Sequence, residues 1–310
     1  MKVFLTGGRG MVGRAIQDHD RAKAHQIVAP TSAELDLTDR SAVMAAVAEE
    51  APDIVIHSAG RVGGIQANMA HPAAFLTENM DMGFNVVLAA RAAGVPRLLN
   101  LGSSCMYPHD APNPLHEESL GKGELEPTNE GYGLAKLAVA RLCDFVSREQ
   151  ADFSCKTLIP CNLYGLHDKF DPAVSHLVPA IIRKVHEARE SGSDTVEIWG
   201  DGTARREFMF SDDLADGIWQ AVARFDDLPG VMNIGLGHDY SINEYYAEAA
   251  RVIGWQGHFT HDLSRPTGMK QKLVATDRQT AFGWAPKTSL QDGIAQTYAH
   301  FLDLIERGEA

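Results

Sequence analysis

Tyr132-Gly133-Leu134-Ala135-Lys136 sets a phenol and an ammonium four residues apart, on one face of any helix that carries them. An ammonium so placed stabilises a phenolate and draws the Tyr pKa down from about 10 toward the working pH. A Tyr tuned in this way can donate a proton to a carbonyl under reduction. Gly102-Ser103-Ser104-Cys105 lies shortly upstream. Tyr-x-x-x-Lys alone also describes an ordinary solvated helix face. The opening Gly7-x-x-Gly10-x-x-Gly13 changes that reading, because it stands between a predicted strand, Val3 to Leu5, and a predicted helix, Met11 to Gln17. In that setting glycines permit a tight turn, close approach to a pyrophosphate and tight helix packing, with the diphosphate at the helix N-terminus. Together the motifs describe a dinucleotide-dependent enzyme acting on a carbonyl or an alcohol.

An NAD-specific site usually carries an acid just after the second strand, to hold the ribose 2′-hydroxyl. This chain has Ala29-Pro30-Thr31 there, and Arg9 inside the Gly loop, where a guanidinium could meet a 2′-phosphate. The expected cofactor is NADP(H). Asp36-Leu37-Thr38-Asp39 lies either near the adenine or in a surface turn or helix cap.

The elements that must position these groups alternate along the chain. Strands are predicted at residues 25–29, 53–57, 97–101 and 155–159, and helices at 41–50, 73–93, 132–149 and 178–189, with a loop at 167–176. This alternation predicts an α/β fold, a Rossmann-like doubly wound parallel sheet whose ligands lie at the carboxyl ends of the strands. Residues 1–165 are assigned to the NADP-binding Rossmann domain. Residues 166–310 form mainly a smaller C-terminal substrate lobe, some segments of which return to the sheet.

A net charge of -13 argues against nonspecific binding to nucleic acid or anionic membranes, while leaving room for an anionic substrate held by local Arg and Lys. Cys105, Cys143, Cys155 and Cys161 show no C-x-x-C spacing, so neither a zinc site nor a disulfide framework is expected, and no metal. That usage fits a reducing compartment. The apolar run from Val3 is interrupted at Thr6, too early for a signal peptide, and no stretch approaches the length of a membrane span. A soluble, cytoplasmic protein is expected. The Ala- and Leu-rich helices near 75–93 and 132–146 are more apolar than contact with a sheet alone requires, which predicts a homodimer built on them.

The Gly loop, the Ser-rich strand end and Tyr-x-x-x-Lys resemble the extended short-chain dehydrogenase/reductase family. Val62-Gly63-Gly64-Ile65, Leu101 to Pro108, Leu125 to Glu130, Asn162 to Gly165, Ser175-His176 and Trp199 to Phe208 are together similar to its GDP-L-fucose synthase branch, in order along nearly the whole chain. The resemblance implies epimerisation of GDP-4-keto-6-deoxy-D-mannose at C3 and C5, then reduction of C4 with NADPH. It implies that Ser103 and Tyr132 hold the C4 oxygen, that Lys136 tunes Tyr132 and binds the nicotinamide ribose, and that Cys105 and His176 are the acid/base pair. A thiol and an imidazole both titrate near enough to neutrality to exchange protons in turn. The candidate cofactor contacts are Gly7, Arg9, Gly10, Met11, Val12, Gly13, Asp36, Leu37, Ser58, Ala59, Lys136, Asn162 and His176. The candidate substrate contacts are Ser104, Asn162, Lys184, Trp199, Arg206 and Lys272.

Several of these residues keep a second reading. Asn162 contacts a ligand or orders a turn; Arg206 and Lys272 bind the diphosphate or are solvated charges; Trp199 packs beside the nucleotide or fills core. The chain also departs from the pattern. Leu166 stands where proline commonly follows Asn-x-Tyr-Gly, the arginines some members place after the second strand are missing, and Lys184 replaces the usual arginine. Three other functions compete. A GDP-4-ketosugar reductase of the colitose or deoxyheptose type would make one epimerisation or none. A 4,6-dehydratase typically carries an acidic pair after the Ser/Thr, where this chain has Cys105-Met106. A dinucleotide-sensing regulator would not need the Ser103, Tyr132 and Lys136 set.

Overall fold

The first strand explains the layering. Within β1 (Lys2–Thr6), Val3 and Leu5 point into one apolar cluster and Phe4 into another, so the strand is buried on both faces. The same holds along a six-stranded sheet whose strands all pair in parallel. The computed structural model describes residues 1–172, 175–264 and 269–309. Residues 173 and 174, inside the predicted 167–176 loop, lie outside them.

The chain follows β1 with α1 (Met11–Asp18), β2 (Gln26–Val28), α2 (Arg40–Glu50) and β3 (Ile54–His57). Next come α3 (Ile65–Ala70), α4 (Pro72–Ala92), β4 (Arg97–Leu101), α5 (Glu130–Glu149), β5 (Ser154–Pro160) and β6 (Asn162–Tyr164). There follow α6 (Leu177–Ser191), β7 (Thr195–Trp199), β8 (Arg205–Arg206), β9 (Phe208–Phe210), α7 (Ser211–Ala223) and β10 (Val231–Ile234). The chain closes with β11 (Tyr240–Ser241), α8 (Ile242–Ile253), β12 (His258–Asp262), β13 (Gln271–Lys272), α9 (Asp277–Phe282) and α10 (Leu290–Arg307).

The sheet order is β2-β1-β3-β4-β5-β10. After β1 the chain steps outward to β2, then crosses to β3 on the other side, so the crevice between β1 and β3 is the switch point where such sheets bind ligands. On one face α1 packs against α7, fastened by the Trp219 indole N–H donating to the Ile16 carbonyl at 2.9 Å. On the other, α2, α4 and α5 pack in a row. Gly83 lets α4 and α5 close up, since a Cβ there would stand 2.3 Å from Val139 Cγ2. Of the C-terminal half, β10 pairs with β5 and adds the sixth strand. A second core joins α6, α8 and α10 over Tyr164, Tyr245 and Phe301. Small sheets flank it: β12 with β7, β6 with β9, and β11-β8-β13. Among the described residues no helix is long and apolar enough to cross a membrane.

Candidate active site

The Gly loop closes the gap between β1 and α1. Gly7 adopts φ +76°, and a Cβ on it would stand 2.7 Å from the Ala59 nitrogen. A Cβ on Gly13 would sit 2.1 Å from the Gly7 carbonyl oxygen, so only glycine lets α1 approach this closely. Gly10 caps α1 without any side-chain hydrogen bond, leaving the first-turn N–H groups of Met11, Val12 and Gly13 pointing out of the helix end. Such donors together with the helix dipole suit a diphosphate. Arg9 is exposed beside them. The opposite wall is pinned by Ser58 Oγ donating to the Thr6 carbonyl at 2.6 Å and by the Ala59 N–H on Thr6 Oγ1 at 3.4 Å. The Asp36 carboxylate accepts from the Thr38 N–H at 2.9 Å and hydroxyl at 2.8 Å, forming a surface turn. The Leu37 carbonyl is held by Asn85 Nδ2 at 3.0 Å.

Ser103 stands just beyond β4, its hydroxyl accepts the Cys105 N–H at 3.2 Å, and the same hydroxyl lies close enough to the Tyr132 phenol to favour its ionised form. Lys136, one turn along α5 from Tyr132, is buried and donates to the Leu101 carbonyl at 3.1 Å and the Ala59 carbonyl at 3.5 Å. These bonds tie α5 to the ends of β3 and β4, where the Gly loop also lies. The electrostatics differ from the sequence expectation. Burial pushes the Tyr132 phenol well above its ordinary value, the Cys105 charge adds to this, and only the nearby Ser103 hydroxyl opposes it. Lys136 does not offset the burial: its ammonium is committed to two carbonyls and lies 6.0 Å from the Tyr132 ring centre. Burial brings Lys136 itself down to about 8. It takes the buried His57 imidazole down to about 3, with help from the Lys136 charge, so that ring is a neutral partner of Thr6 Oγ1 at 2.8 Å.

Cys105 sits two residues past Ser103 and is partly exposed. Two donors converge on its sulfur, Asn129 Nδ2 and Lys272 Nζ, each at 3.3 Å. Asn129 escaped the sequence reading, although it stands three residues before Tyr132, on the same face of the turn that opens α5. His176 lies elsewhere, at the N-cap of α6 and half-buried, with burial and the Lys169 charge holding its imidazole below the usual range. Among the described residues no hydrogen bond joins His176 to Ser103, Cys105, Tyr132 or Lys136.

The remaining candidates divide. Ser104 is buried in the turn behind Cys105. Asn162 Nδ2 donates to the Glu207 carbonyl at 3.0 Å, so this amide orders the β6–β9 junction. Arg206 is half-buried in β8 with Nη1 on the Arg205 carbonyl at 2.8 Å, and burial lowers its pKa. Lys184 is engaged by the fold, donating to the Glu197 carbonyl at 2.8 Å and lying 5.7 Å from the Trp199 ring centre. Trp199 is 48% exposed, which removes the reading in which it fills core. Lys272 is half-buried, with its ammonium 3.3 Å from Cys105 Sγ.

The model of the NAD dependent epimerase/dehydratase family matches residues 3–235. The chain belongs to this family. It falls among the extended short-chain dehydrogenase/reductases of the GDP-fucose, colitose and heptose synthase type. It is 48% identical over 303 residues to a GDP-L-colitose synthase of Yersinia pseudotuberculosis, covering 98% of each chain. It is also 48% identical over 301 residues to a GDP-L-fucose synthase of Azorhizobium caulinodans, covering 97% of this chain and 96% of that one. A GDP-D-glycero-L-gluco-heptose synthase from Campylobacter jejuni, crystallised in the presence of NADPH, superposes with a TM-score of 0.88 at 32% identity, covering 97% and 98% of the two chains.

Proposed function

We propose that this NADP(H)-dependent oxidoreductase converts GDP-4-keto-6-deoxy-D-mannose to GDP-L-fucose by epimerising C3 and C5 and reducing C4. The observation that supports this reading is the meeting of Ser103, Tyr132 and Cys105 at the end of β4: two neighbouring hydroxyl groups, and a thiol two residues past Ser103 whose charge the Tyr132 phenol feels. A C4 ketone acidifies the hydrogens on both neighbouring carbons, so one oxygen site serves three steps. Ser103 and Tyr132 hold that oxygen. Cys105 or His176 takes the proton from carbon as the C–H electron pair moves onto the oxygen, and the other group returns a proton to the opposite face. His176, kept neutral by its burial, is fit to accept a proton at neutral pH. Tyr132, kept protonated by its burial, gives its proton to the C4 oxygen in the reduction.

NADPH, when bound, supplies the hydride. The α1 N-terminus and Gly loop would hold its diphosphate, Arg9 its 2′-phosphate and Lys136 its nicotinamide ribose. Arg206 and Trp199 would contact the GDP end of the substrate. The equal identity to a colitose and a fucose synthase supports a second reading, a GDP-4-ketosugar reductase of the colitose or deoxyheptose type with one epimerisation or none. NADPH oxidation with GDP-4-keto-6-deoxy-D-mannose, with the product sugar identified by NMR, separates the two. GDP-L-fucose is the expected product. Absence of turnover with NADPH still bound would move the substrate to another GDP-4-ketosugar.

A further inference from the structure

Lys272 was expected among the diphosphate ligands, yet its ammonium lies 3.3 Å from Cys105 Sγ. The strand that carries it is fixed from both sides. Ahead of it, Gln271 Nε2 donates to Asp239 Oδ2 at 2.6 Å and the Arg205 N–H donates to the Lys270 carbonyl at 2.9 Å. Behind it, the Leu273 N–H meets Asn113 Oδ1 at 2.8 Å, and the Val274 N–H meets Glu207 Oε2 at 2.9 Å. A second donor reaches the same sulfur. Asn129 is the N-cap of α5, a position whose side chain ordinarily satisfies the helix's own N–H groups. Here it makes no capping bond and sends Nδ2 to Cys105 Sγ at 3.3 Å. A helix cap is thus given up, and a lysine on a pinned strand is aimed, at one atom.

We propose that Lys272 is the charge partner of Cys105, a positioning residue that stabilises negative charge on the sulfur while Cys105 exchanges a proton with substrate carbon. This rests on the assignment of Cys105 to the acid/base pair. When the sulfur takes a proton, the C–H bond breaks, an S–H bond forms and the electron pair passes to the C4 oxygen; when it returns one, the negative charge comes back beside the ammonium. Tyr132, on α5, also feels the sulfur's charge, whereas Asn129 is a neutral donor. An ammonium committed to sulfur leaves the diphosphate to other groups.

The test uses Lys272→Met, Lys272→Arg and Cys105→Ser in the full enzyme. The rate of Cys105 alkylation by iodoacetamide at pH 7.5 is read by mass spectrometry without turnover. Solvent deuterium incorporation at C3 and C5 and the KM for GDP-4-keto-6-deoxy-D-mannose are read with it. Lys272→Met should slow both alkylation and deuterium incorporation by about tenfold, the scale of one lost hydrogen bond to a charged group, with KM unchanged. Lys272→Arg, which keeps the charge, should restore most of both. Parental alkylation with a raised KM in Lys272→Met would make Lys272 a diphosphate ligand and overturn the proposal. Equal loss in the Met and Arg variants would also overturn it, since shape and not charge would then matter. Deuterium incorporation at the parental rate in Cys105→Ser would overturn the assignment of Cys105 itself. That failure is distinguishable, because the alkylation readout does not depend on turnover.

Discussion

Tyr132 and Lys136 divide the work that the sequence pattern had given to the pair acting together. Burial favours the protonated phenol, so in the proposed reaction Tyr132 would meet the ketone as a proton source rather than as a phenolate. Tyr132→Phe removes that proton while leaving Lys136 and the Gly loop in place. Hydride transfer should then fall by about 10²–10⁴-fold, the usual range for a lost general acid, with NADPH affinity retained in a fluorescence titration. Full activity would exclude Tyr132 as the donor. Lys136 has a different titration. Its value of about 8 comes from burial, so below that pH it carries the charge with which we propose it holds the ribose, and above it the charge is lost. Hence kcat/KM for reduction, which reports the free enzyme, should be flat below pH 8 and fall as pH rises through it. In Lys136→Arg the guanidinium stays charged, so whatever activity remains should lack that fall. Tyr-x-x-x-Lys was legible as a candidate site because its spacing is local. The balance of burial over charge was not, since it depends on carbonyls that β3 and β4 bring from elsewhere in the chain.

Between elements, the contact that sets the site is that of α5 with the turn after β4. Gly133 lies between Tyr132 and Lys136, and a Cβ on it would stand 2.5 Å from the Cys105 carbonyl oxygen. Two effects oppose each other in Gly133→Ala. Helix propensity favours Ala by about 1 kcal/mol. The clash is with backbone rather than a movable side-chain end, and relieving such overpacking costs about 1–3 kcal/mol. The clash should win: a lower Tm, and a reduction rate that falls with it as Tyr132 shifts relative to Ser103. A raised Tm would show that α5 can slide without cost. The long elements were legible for the reason this contact is tight. Buried parallel strands read as continuous apolar runs ended by Gly or Ser turns, and β4 has the predicted bounds, while α5 starts two residues early at Glu130. The short strands β6, β8, β9, β11 and β13 carry two or three residues each, too few for any period to register. Lys272 sits on one of these, and its partner Cys105 is 167 positions away. No local pattern could have joined them.

For the whole molecule, the question is what covers the outer surface of α4 and α5. The two helices pack closely on each other, which accounts for much of their apolar content without a partner. Part of it is left over: on α5, Leu134 is 41% exposed and Phe145 50% exposed, three turns apart along the helix. Single exposed apolar residues are ordinary, but a spaced pair on the outer side of a helix is a candidate docking stripe. We propose that a second copy of this chain is what would cover this stripe, α4 and α5 pairing with their own copies about a twofold axis in a four-helix contact. With a net charge of -13 repelling the copies elsewhere, such a contact would depend on this apolar centre. Symmetry doubles any change made there. Phe145→Glu places two carboxylates in one interface, each losing water without gaining a cation. Sedimentation velocity should find the parent as a dimer and Phe145→Glu as a monomer that still binds NADPH, since the Gly loop is built wholly within one chain. A monomeric parent at micromolar concentration would assign Leu134 and Phe145 to the solvent.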